Sequence, residues 1–233
     1  MDFEKDLWTS IFKYSEYVKG ATYSASDIIG DLLSVRLRKE NPNHDDMAVE
    51  DKVAAWIGSA CHNHCEAWLK AENAFGETNM QSEVRLKFKN ISGTCDLLID
   101  NHIILDYKTS TETNMKKSIN ALKKNHKDTQ WCKQLSIYTY LNHKSNKQPY
   151  GKYGYIAWLC VDTKKYGVEK VELLPKSETI ALIKSFLVEI EKPIEEMKQC
   201  HLCVQFKSRW CGVRKICPKW NEDREDFSNV ECW

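Results

Sequence analysis

At residues 93–110 the chain reads Gly-Thr-Cys-Asp-Leu-Leu-Ile-Asp-Asn-His-Ile-Ile-Leu-Asp-Tyr-Lys-Thr-Ser. Two short apolar runs, residues 97–99 and 103–105, flank the pair Asp100-Asn101, which favours a tight turn. The stretch therefore predicts an antiparallel β-hairpin, and the other predicted elements can be arranged around it.

Acidic residues lie on both predicted strands of this hairpin. Asp96 is on the first strand, Asp106 is on the second, and Lys108 follows Asp106 by two residues. Side chains alternate between the faces of a strand, so Asp106 and Lys108 should point the same way. Two carboxylates and a backbone carbonyl suit a hard divalent cation, and a lysine can offset charge on a phosphate or polarise water. The alternative is a hairpin whose exposed end is merely charged.

Composition restricts the class of protein. Of the 233 residues, 42% are hydrophobic and 29% charged, which is typical of a soluble globular chain with one large domain or one domain and an appendage. No apolar run approaches the roughly 20 residues of a membrane span, and charges interrupt residues 1–20, so neither a span nor a secretory signal is predicted. Ten cysteines without such a signal indicate reduced thiols and a cytoplasmic location. The net charge of +1 requires any nucleic-acid surface to be local.

Hydrophobic periodicity predicts helices and strands around the hairpin. Helices are predicted in two pieces within residues 1–40, at about residues 47–72, after residue 110, and for about 20 residues from Ser177. Strands are predicted at residues 81–88, 153–161 and 167–174. The helix at residues 47–72 has an apolar stripe that would place His64 against the core; its members are Val49, Val53, Ile57, Ala60, His64 and Trp68.

Four short motifs follow one another along the chain: Gly58-x-x-x-His62, Gly93-x-x-Asp96, Asp106-x-Lys108 and Gln134-x-x-x-Tyr138. They fall on a predicted helix, strand, strand and helix, in that order. The same motifs in the same order are typical of the PD-(D/E)XK nucleases, which the chain resembles over roughly residues 24–163. Within that superfamily it is similar to the RecB-like branch, which includes the CRISPR-adaptation exonucleases and phage-type exonucleases.

This resemblance implies a fold and a set of site residues. The implied fold is α/β, with a restriction-endonuclease-like core in which a central mixed β-sheet is flanked by helices. The implied catalytic residues are Asp96, Asp106 and Lys108, with Lys108 assisting the attacking water. The implied ligands of Mg²⁺ or Mn²⁺ are His62, Asp96, Asp106 and the carbonyl of Tyr107.

The histidine has a competitor and an alternative role. In the RecB-like branch the histidine of Gly-x-x-x-His faces the metal held by the two acids. His64 lies only two residues beyond His62, and the spacing to Gly58 is what favours His62. A lone helical histidine is more often a hydrogen-bonded core residue, which is the alternative for His62.

Lysines and aromatic residues accumulate after the hairpin; the lysines are Lys116, Lys117, Lys123, Lys124, Lys127 and Lys133. Gln134 and Tyr138 are four residues apart and so share a helix face. The resemblance implies that both bind substrate beside the active site. Lysines interleaved with aromatics also suit DNA that is single-stranded or has accessible ends. The residues alone equally allow a solvated basic helix above a buried aromatic.

Four cysteines lie within eighteen residues near the C-terminus: Cys200, Cys203, Cys211 and Cys217. Thiolates this close can bind Zn²⁺ or hold a 4Fe-4S cluster. Some RecB-like nucleases have an iron–sulfur cluster held by one early and three late cysteines. Here Ser208 occupies the place of one late cysteine, and no cysteine precedes Cys61. Zinc, iron–sulfur and four thiols without metal all stay open.

These observations predict an organisation and a function. Residues 1–199 would form the nuclease domain, with N-terminal helices at 1–75 and a catalytic core at 76–199, followed by a cysteine-rich element at 200–220 and an acidic tail at 221–233. The resemblance implies a metal-dependent DNA exonuclease of recombination, repair or degradation, with a recombination or repair protein as partner. The alternatives are an inactive nuclease-fold protein that binds nucleic acid or regulates, and a zinc-binding interaction module. The acid-acid-lysine set favours catalysis, because a pure binder has no need to crowd two carboxylates near phosphate.

Overall fold

The computed structural model describes residues 23–44, 49–71, 79–197, 213 and 216–218. Within these ranges one mixed sheet contains β1 (Tyr23–Ser24), β2 (Met80–Phe88), β3 (Ile91–Ile99), β4 (Ile103–Ser110), β5 (Tyr153–Cys160) and β6 (Tyr166–Glu172). The strand order is β1-β3-β4-β5-β6, and β2 also pairs with β3. The β1/β3 and β4/β5 pairs are parallel and the others antiparallel, which confirms the predicted mixed sheet.

The hairpin predicted from residues 93–110 is present as β3 and β4. Leu97 pairs with Leu105 and Ile99 with Ile103. The turn residues Asp100 and Asn101 have φ values of 49° and 61°, which is the left-handed conformation that a tight hairpin turn requires and that Asn and Asp tolerate. Both strands extend beyond the apolar runs, so the acidic positions lie within the sheet.

The α-helices of the described residues are α1 (Ala25–Ile28), α2 (Leu32–Glu40), α3 (Val49–Ala71), α4 (Glu112–Lys124), α5 (Gln130–Ser145) and α6 (Lys176–Glu189). The second of the two helical pieces predicted within residues 1–40 is divided into α1 and α2, and Ser24 and Asp27 form the capping box that starts α1. The helix predicted for about 20 residues from Ser177 is also shorter. It begins at Lys176, so Ser177 lies in its first turn, and it ends at Glu189.

The described residues divide into two compact units, one within Met1–Ile29 and Ala54–Ile183, the other within Gly30–Val53 and Lys184–Trp233. The first unit contains the whole sheet with α4 and α5. In the second unit Leu33, Val35 and Ile190 are buried, and Arg36 Nη1 donates a hydrogen bond to the Ile190 carbonyl at 2.8 Å. The boundaries predicted for the nuclease domain, the cysteine-rich element and the tail stay predictions.

Helix α5 crosses the sheet and is buried around most of its circumference. Ten of the eleven residues from Cys132 to Asn142 are buried. This is the pattern of a central helix rather than of an amphipathic surface helix. Both hairpins of the sheet are bonded to it. Ser145 Oγ donates to the Lys87 carbonyl on β2, and Asn142 Nδ2 donates to the Asn101 carbonyl in the β3–β4 turn. The side chains of α5 that face the sheet are therefore held on two sides.

The apolar stripe predicted for α3 is wrong in one respect. His64 is exposed, and so are Ile57 and Ala60, whereas Cys61, His62 and Cys65 are partly buried. The helix therefore turns a different face toward the sheet than the widest apolar stripe suggested. Among the described residues no helix has the length and apolarity needed to cross a membrane.

Candidate active site

A gap in strand pairing along β3 creates the site. β2 pairs with one edge of β3 from Ile91 to Ile99. The other edge is shared, because β1 pairs with it at residues 91–92 and β4 at residues 97–99. Between these pairings, at residues 93–96, neither β1 nor β4 is bonded to β3. Asp96 lies at the end of this gap, where β3 and β4 separate.

The two acidic side chains face each other across the gap. Asp96 Oδ2 accepts a hydrogen bond of 2.6 Å from the Tyr107 backbone N–H, so the carboxylate takes the place of a ladder partner. Asp106 is 3% exposed, which does not fit the alternative of a hairpin whose exposed end is merely charged. Lys108 Nζ lies 2.6 Å from Asp106 Oδ2, which agrees with the predicted shared face. That oxygen nevertheless receives no hydrogen bond of ordinary geometry from any described residue.

The electrostatics of this pair favour a cation. The pKa of Asp96 is raised to about 7, first because burial disfavours the charged form and second because of the negative charge of Asp106. The Tyr107 N–H and the Lys108 ammonium oppose the rise. A divalent cation between two carboxylates would remove their repulsion and supply a partner for the unsatisfied Asp106 oxygen. The donor set therefore fits a hard cation, which prefers oxygen ligands.

His62 approaches the carboxylates from α3. Its Nδ1 lies 3.8 Å from Asp96 Oδ2, and its ring centroid lies 5.7 Å from that of Tyr107. Burial lowers the pKa of His62; the charge of Asp106 acts against this and that of Lys108 acts with it. A neutral imidazole carries the lone pair that a metal ligand needs. Because a Cβ on Gly58 would lie 3.0 Å from Thr109 Oγ1, glycine at that position allows α3 to approach β4 closely.

Gln134 and Tyr138 lie deeper than predicted. They are 9% and 5% exposed, respectively. Lys108 Nζ donates to Gln134 Oε1 at 3.0 Å, and Gln134 Nε2 donates to the Tyr138 hydroxyl at 2.9 Å. The structure thus connects the helix motif to the lysine of the strand motif, with little surface left on Gln134 or Tyr138 for a bound strand.

Two residues of the site were not predicted to have a specific contact. A Cβ on Gly93 would lie 2.6 Å from Tyr138 Cε1, so the ring occupies the space that a side chain would need. Glu83 on β2 has φ of 51°, an uncommon left-handed conformation for a glutamate within a strand, and its charge further raises the pKa of Asp96. The motif Gly-x-x-Asp contained Gly93, but its packing partner could be found only from the fold.

The predicted metal site at the C-terminal cysteines is largely outside the described residues, because Cys200, Cys203 and Cys211 are not among them. Cys217 is a buried free thiol. In the part of the chain that the structure describes, no group of three or more His, Cys, Asp or Glu side chains is placed to hold a metal ion. His62, Asp96 and Asp106 therefore do not already converge on one cation position. A cation at the gap would need His62 to move closer and a backbone donor such as the Tyr107 carbonyl.

Comparison with known proteins gives a family and a fold. The family model of the PD-(D/E)XK nuclease superfamily matches residues 10–218. The crystal structure of SSO0001 is similar with a TM-score of 0.62 at 19% identity, covering 94% of this chain and 96% of that one, a likeness that shows the fold alone. An alkaline exonuclease from Laribacter hongkongensis (TM-score 0.46, 10% identity, 80% and 92% covered) and a phage related exonuclease from Haemophilus somnus 129PT (0.44, 13%, 75% and 93%) align less closely. A search of curated proteins found no significant match.

Proposed function

Because the chain belongs to the PD-(D/E)XK nuclease superfamily, we propose that it is a metal-dependent deoxyribonuclease that acts as an exonuclease. One observation carries the proposal: Asp96 and Asp106 are crowded into a partly buried site, and Lys108 lies 2.6 Å from Asp106. Crowded carboxylates raise the energy of the metal-free protein, and they are useful where a cation and a phosphate have to be bound together.

The residues that would hold the cation are Asp96, Asp106, His62 and the Tyr107 carbonyl. When bound there, Mg²⁺ or Mn²⁺ would supply Lewis-acid stabilisation of the phosphate and a more acidic water. The neutral form of His62, favoured by burial, and the unsatisfied oxygen of Asp106 support this assignment. No role in this step is assigned to the C-terminal cysteines, for which zinc and iron–sulfur stay predictions.

Lys108 is the group that would contact the reacting phosphate or water. An ammonium has three N–H donors. Nζ donates one hydrogen bond of 3.0 Å to Gln134 and lies 2.6 Å from Asp106 as an ion pair. Among the described contacts at least one N–H is therefore available for a phosphate oxygen or the attacking water. Charge developing on the phosphate would then face a fixed positive group, which is the arrangement that stabilises such transition states.

Gln134 and Tyr138 would orient substrate through Lys108. Gln134 accepts from the lysine with one end of its amide and donates to the Tyr138 hydroxyl with the other. A flexible lysine side chain is thereby restricted to one direction. Since both residues are more than nine-tenths buried, their influence on a bound strand would pass through the lysine.

The proposed substrate is DNA that is single-stranded or has accessible ends. Support comes from exposed lysines on α4, which add positive charge beside the end of β4; they are Lys116, Lys117, Lys123 and Lys124. Phosphate backbones are attracted to such local basic surfaces even where the net charge is small. A recombination or repair protein as partner stays a prediction.

The decisive experiment compares the protein with Asp106→Asn on end-labelled single-stranded and double-stranded DNA. We expect the protein to cut with Mn²⁺ or Mg²⁺ and not with a chelator, and Asp106→Asn to lose cleavage. The amide replaces the carboxylate at the same size and removes both the repulsion with Asp96 and the ion pair with Lys108. These two effects oppose each other, so the melting temperature should change little. Undiminished cleavage by a folded Asp106→Asn protein would contradict the site, and DNA binding without any cleavage by the unmodified protein would indicate a non-catalytic member of the superfamily.

A further inference from the structure

A cavity of about 340 Å³ adjoins the candidate active site within the same unit. Its lining is almost entirely apolar and comes from α3 and three strands. The lining residues include His62, Tyr107, Lys108, Ala157, Tyr166 and Val168. The volume is at the lower end of the range found for small-molecule sites, which suits one ring system rather than a large ligand.

The cavity lies on one face of the sheet. Tyr107, Ala157 and Val168 form one cross-strand row, because Tyr107 pairs with Ala157 and Ala157 with Val168. Leu159 and Tyr166 belong to the next row on the same face. α3 covers the β4 end of these rows, with the His62 ring near Tyr107.

The β6 end of the rows is open. Tyr166 is 81% exposed and Val168 is 60% exposed. Exposed apolar side chains beside a cavity indicate a binding surface more often than isolated ones do. A phenol ring at the mouth of an apolar cavity offers a flat surface on which another ring can stack.

The cavity and the active site share residues. His62 lines the cavity, and its Nδ1 lies only 3.8 Å from Asp96 Oδ2. Lys108 also lines the cavity, and its ammonium lies 2.6 Å from Asp106. Tyr107 points to the cavity face of β4 and Asp106 to the other face, so the cavity and the carboxylates meet through His62 and the Lys108 ammonium. A strand whose phosphate is held at the carboxylates would then have a neighbouring nucleotide beside the cavity. This continuity, rather than the apolar surface alone, identifies the occupant.

We propose that the cavity receives the base of a nucleotide adjoining the scissile phosphate, with the base stacked on Tyr166. This inference rests on the proposed nuclease function and names its substrate more closely. A base can enter such a cavity only when it is not paired, so the substrate is a single strand or a frayed end. The nearly apolar lining offers few groups that could distinguish one base from another, so stacking there is tolerant of sequence.

The test measures whether Tyr166 and the base act on each other. Short single-stranded oligonucleotides carry one cleavable phosphodiester, with an abasic nucleotide on either its 5′ or its 3′ side. Stacking of a base on an aromatic residue typically changes affinity by about 5- to 150-fold. We expect the protein to cut one of the two abasic substrates less efficiently than the intact strand by a factor in this range. Tyr166→Ala should cut the intact strand about as poorly and show no further loss on the abasic one.

Tyr153→Ala is the matched control. Tyr153 lies on the neighbouring strand β5, is 44% exposed, and does not line the cavity. The Tyr153→Ala variant should cut the intact strand as fast as the unmodified protein does. It should also lose as much activity on the abasic strand as the unmodified protein loses. Since Tyr166 is largely exposed, its substitution should not change the melting temperature.

The outcomes separate the inference from the function on which it rests. Equal cleavage of the intact strand and both abasic strands by the unmodified protein would overturn the base-binding cavity and leave the nuclease function standing. The base-binding cavity would also be overturned if Tyr166→Ala lost as much cleavage on the abasic strand, relative to the intact strand, as the unmodified protein does. If the unmodified protein with Mn²⁺ cuts neither these strands nor bis(p-nitrophenyl) phosphate, the nuclease function itself is wrong, and the cavity assignment falls with it.

Discussion

Replacing Gly93 by alanine should weaken the hydrogen bonds through which Tyr138 and Gln134 hold Lys108 in place. The new Cβ would lie 2.6 Å from Tyr138 Cε1 and 3.2 Å from the Cβ of Ala25. Ordinary carbon contacts are about 3.5–4.0 Å, so the Tyr138 ring has to move by roughly 1 Å. Overpacking of this kind costs about 1–3 kcal/mol of the free energy of unfolding. For a chain of this size, each kcal/mol lowers the melting temperature by about 2–4 °C.

The displacement has a second consequence at the active site. A shift of roughly 1 Å would lengthen the hydrogen bond between Gln134 Nε2 and the Tyr138 hydroxyl, now 2.9 Å, beyond the range of such bonds. Gln134 would then hold Lys108 less firmly. Misplacement of a catalytic group by about 1 Å can cost about 100-fold in rate, so we expect a large fall in kcat with a smaller change in KM.

Gly154→Ala provides the matched control. Gly154 is also buried in the sheet, and its Cβ would lie 3.2 Å from Leu135 Cδ1 and 3.3 Å from the Ile104 carbonyl oxygen. These contacts require shifts of only a few tenths of an ångström, so this variant should lose less stability than Gly93→Ala. The three atoms nearest to its new Cβ belong to Leu135 and Ile104 and not to Tyr138, Gln134 or Lys108. Cleavage and melting are measured for both variants at a temperature where both are folded. If Gly93→Ala cuts DNA as fast as Gly154→Ala, Tyr138 and Gln134 do not position Lys108.

Three further predictions concern the acids, the histidines and the cysteines. The raised pKa of Asp96 means that this carboxyl ionises near its ordinary value of 3.8 in the unfolded chain and near 7 in the folded one, so the metal-free protein loses stability as pH rises between these values. Asp96→Asn should therefore melt at a higher temperature than the unmodified protein in chelator at pH 8, with the difference vanishing near pH 4; a lower melting temperature at pH 8 would contradict the repulsion. His62→Ala should reduce metal-dependent cleavage, whereas exposed His64 should tolerate alanine within about 0.5 kcal/mol by thermal melting and keep full cleavage. If the C-terminal cysteines hold a metal, Cys211→Ser should lower the zinc or iron content of the purified protein, and a band near ~400 nm would identify iron–sulfur; neither metal by elemental analysis would leave ordinary thiols.

The hairpin and its acid-lysine set could be predicted because short-range rules govern them. Asp100-Asn101 specifies a left-handed turn, and the two-residue period of a strand puts Asp106 and Lys108 on one side. Gly58 and His62 are likewise related by one turn of a helix. In each case the chemistry depends on residues within five positions of each other, where backbone geometry leaves few alternatives.

The depth of the site could not be predicted, because it depends on contacts between distant segments. Gln134 and Tyr138 are buried because α5 packs against the sheet, with hydrogen bonds to β2 and to the β3–β4 turn, and the periodicity of α5 alone does not predict these contacts. The same limit explains the error at His64. The widest apolar stripe of α3 predicts a buried face that includes His64, but the sheet contacts a face that includes a glycine, a histidine and two cysteines.

The gap on β3 links these features and favours catalysis over a purely structural role. Among the described strands none pairs with one edge of residues 93–96. The Asp96 carboxylate accepts the Tyr107 N–H, and the Tyr138 ring occupies the space that a side chain at Gly93 would need. Each of these lowers stability: unpaired strand edges, buried carboxylates and glycine in a strand are all unfavourable. A continuous ladder with apolar residues at the same positions would make a more stable scaffold. The arrangement becomes favourable once a cation is bound between the carboxylates and a phosphate lies beside Lys108, which is the condition that a nuclease meets during its reaction.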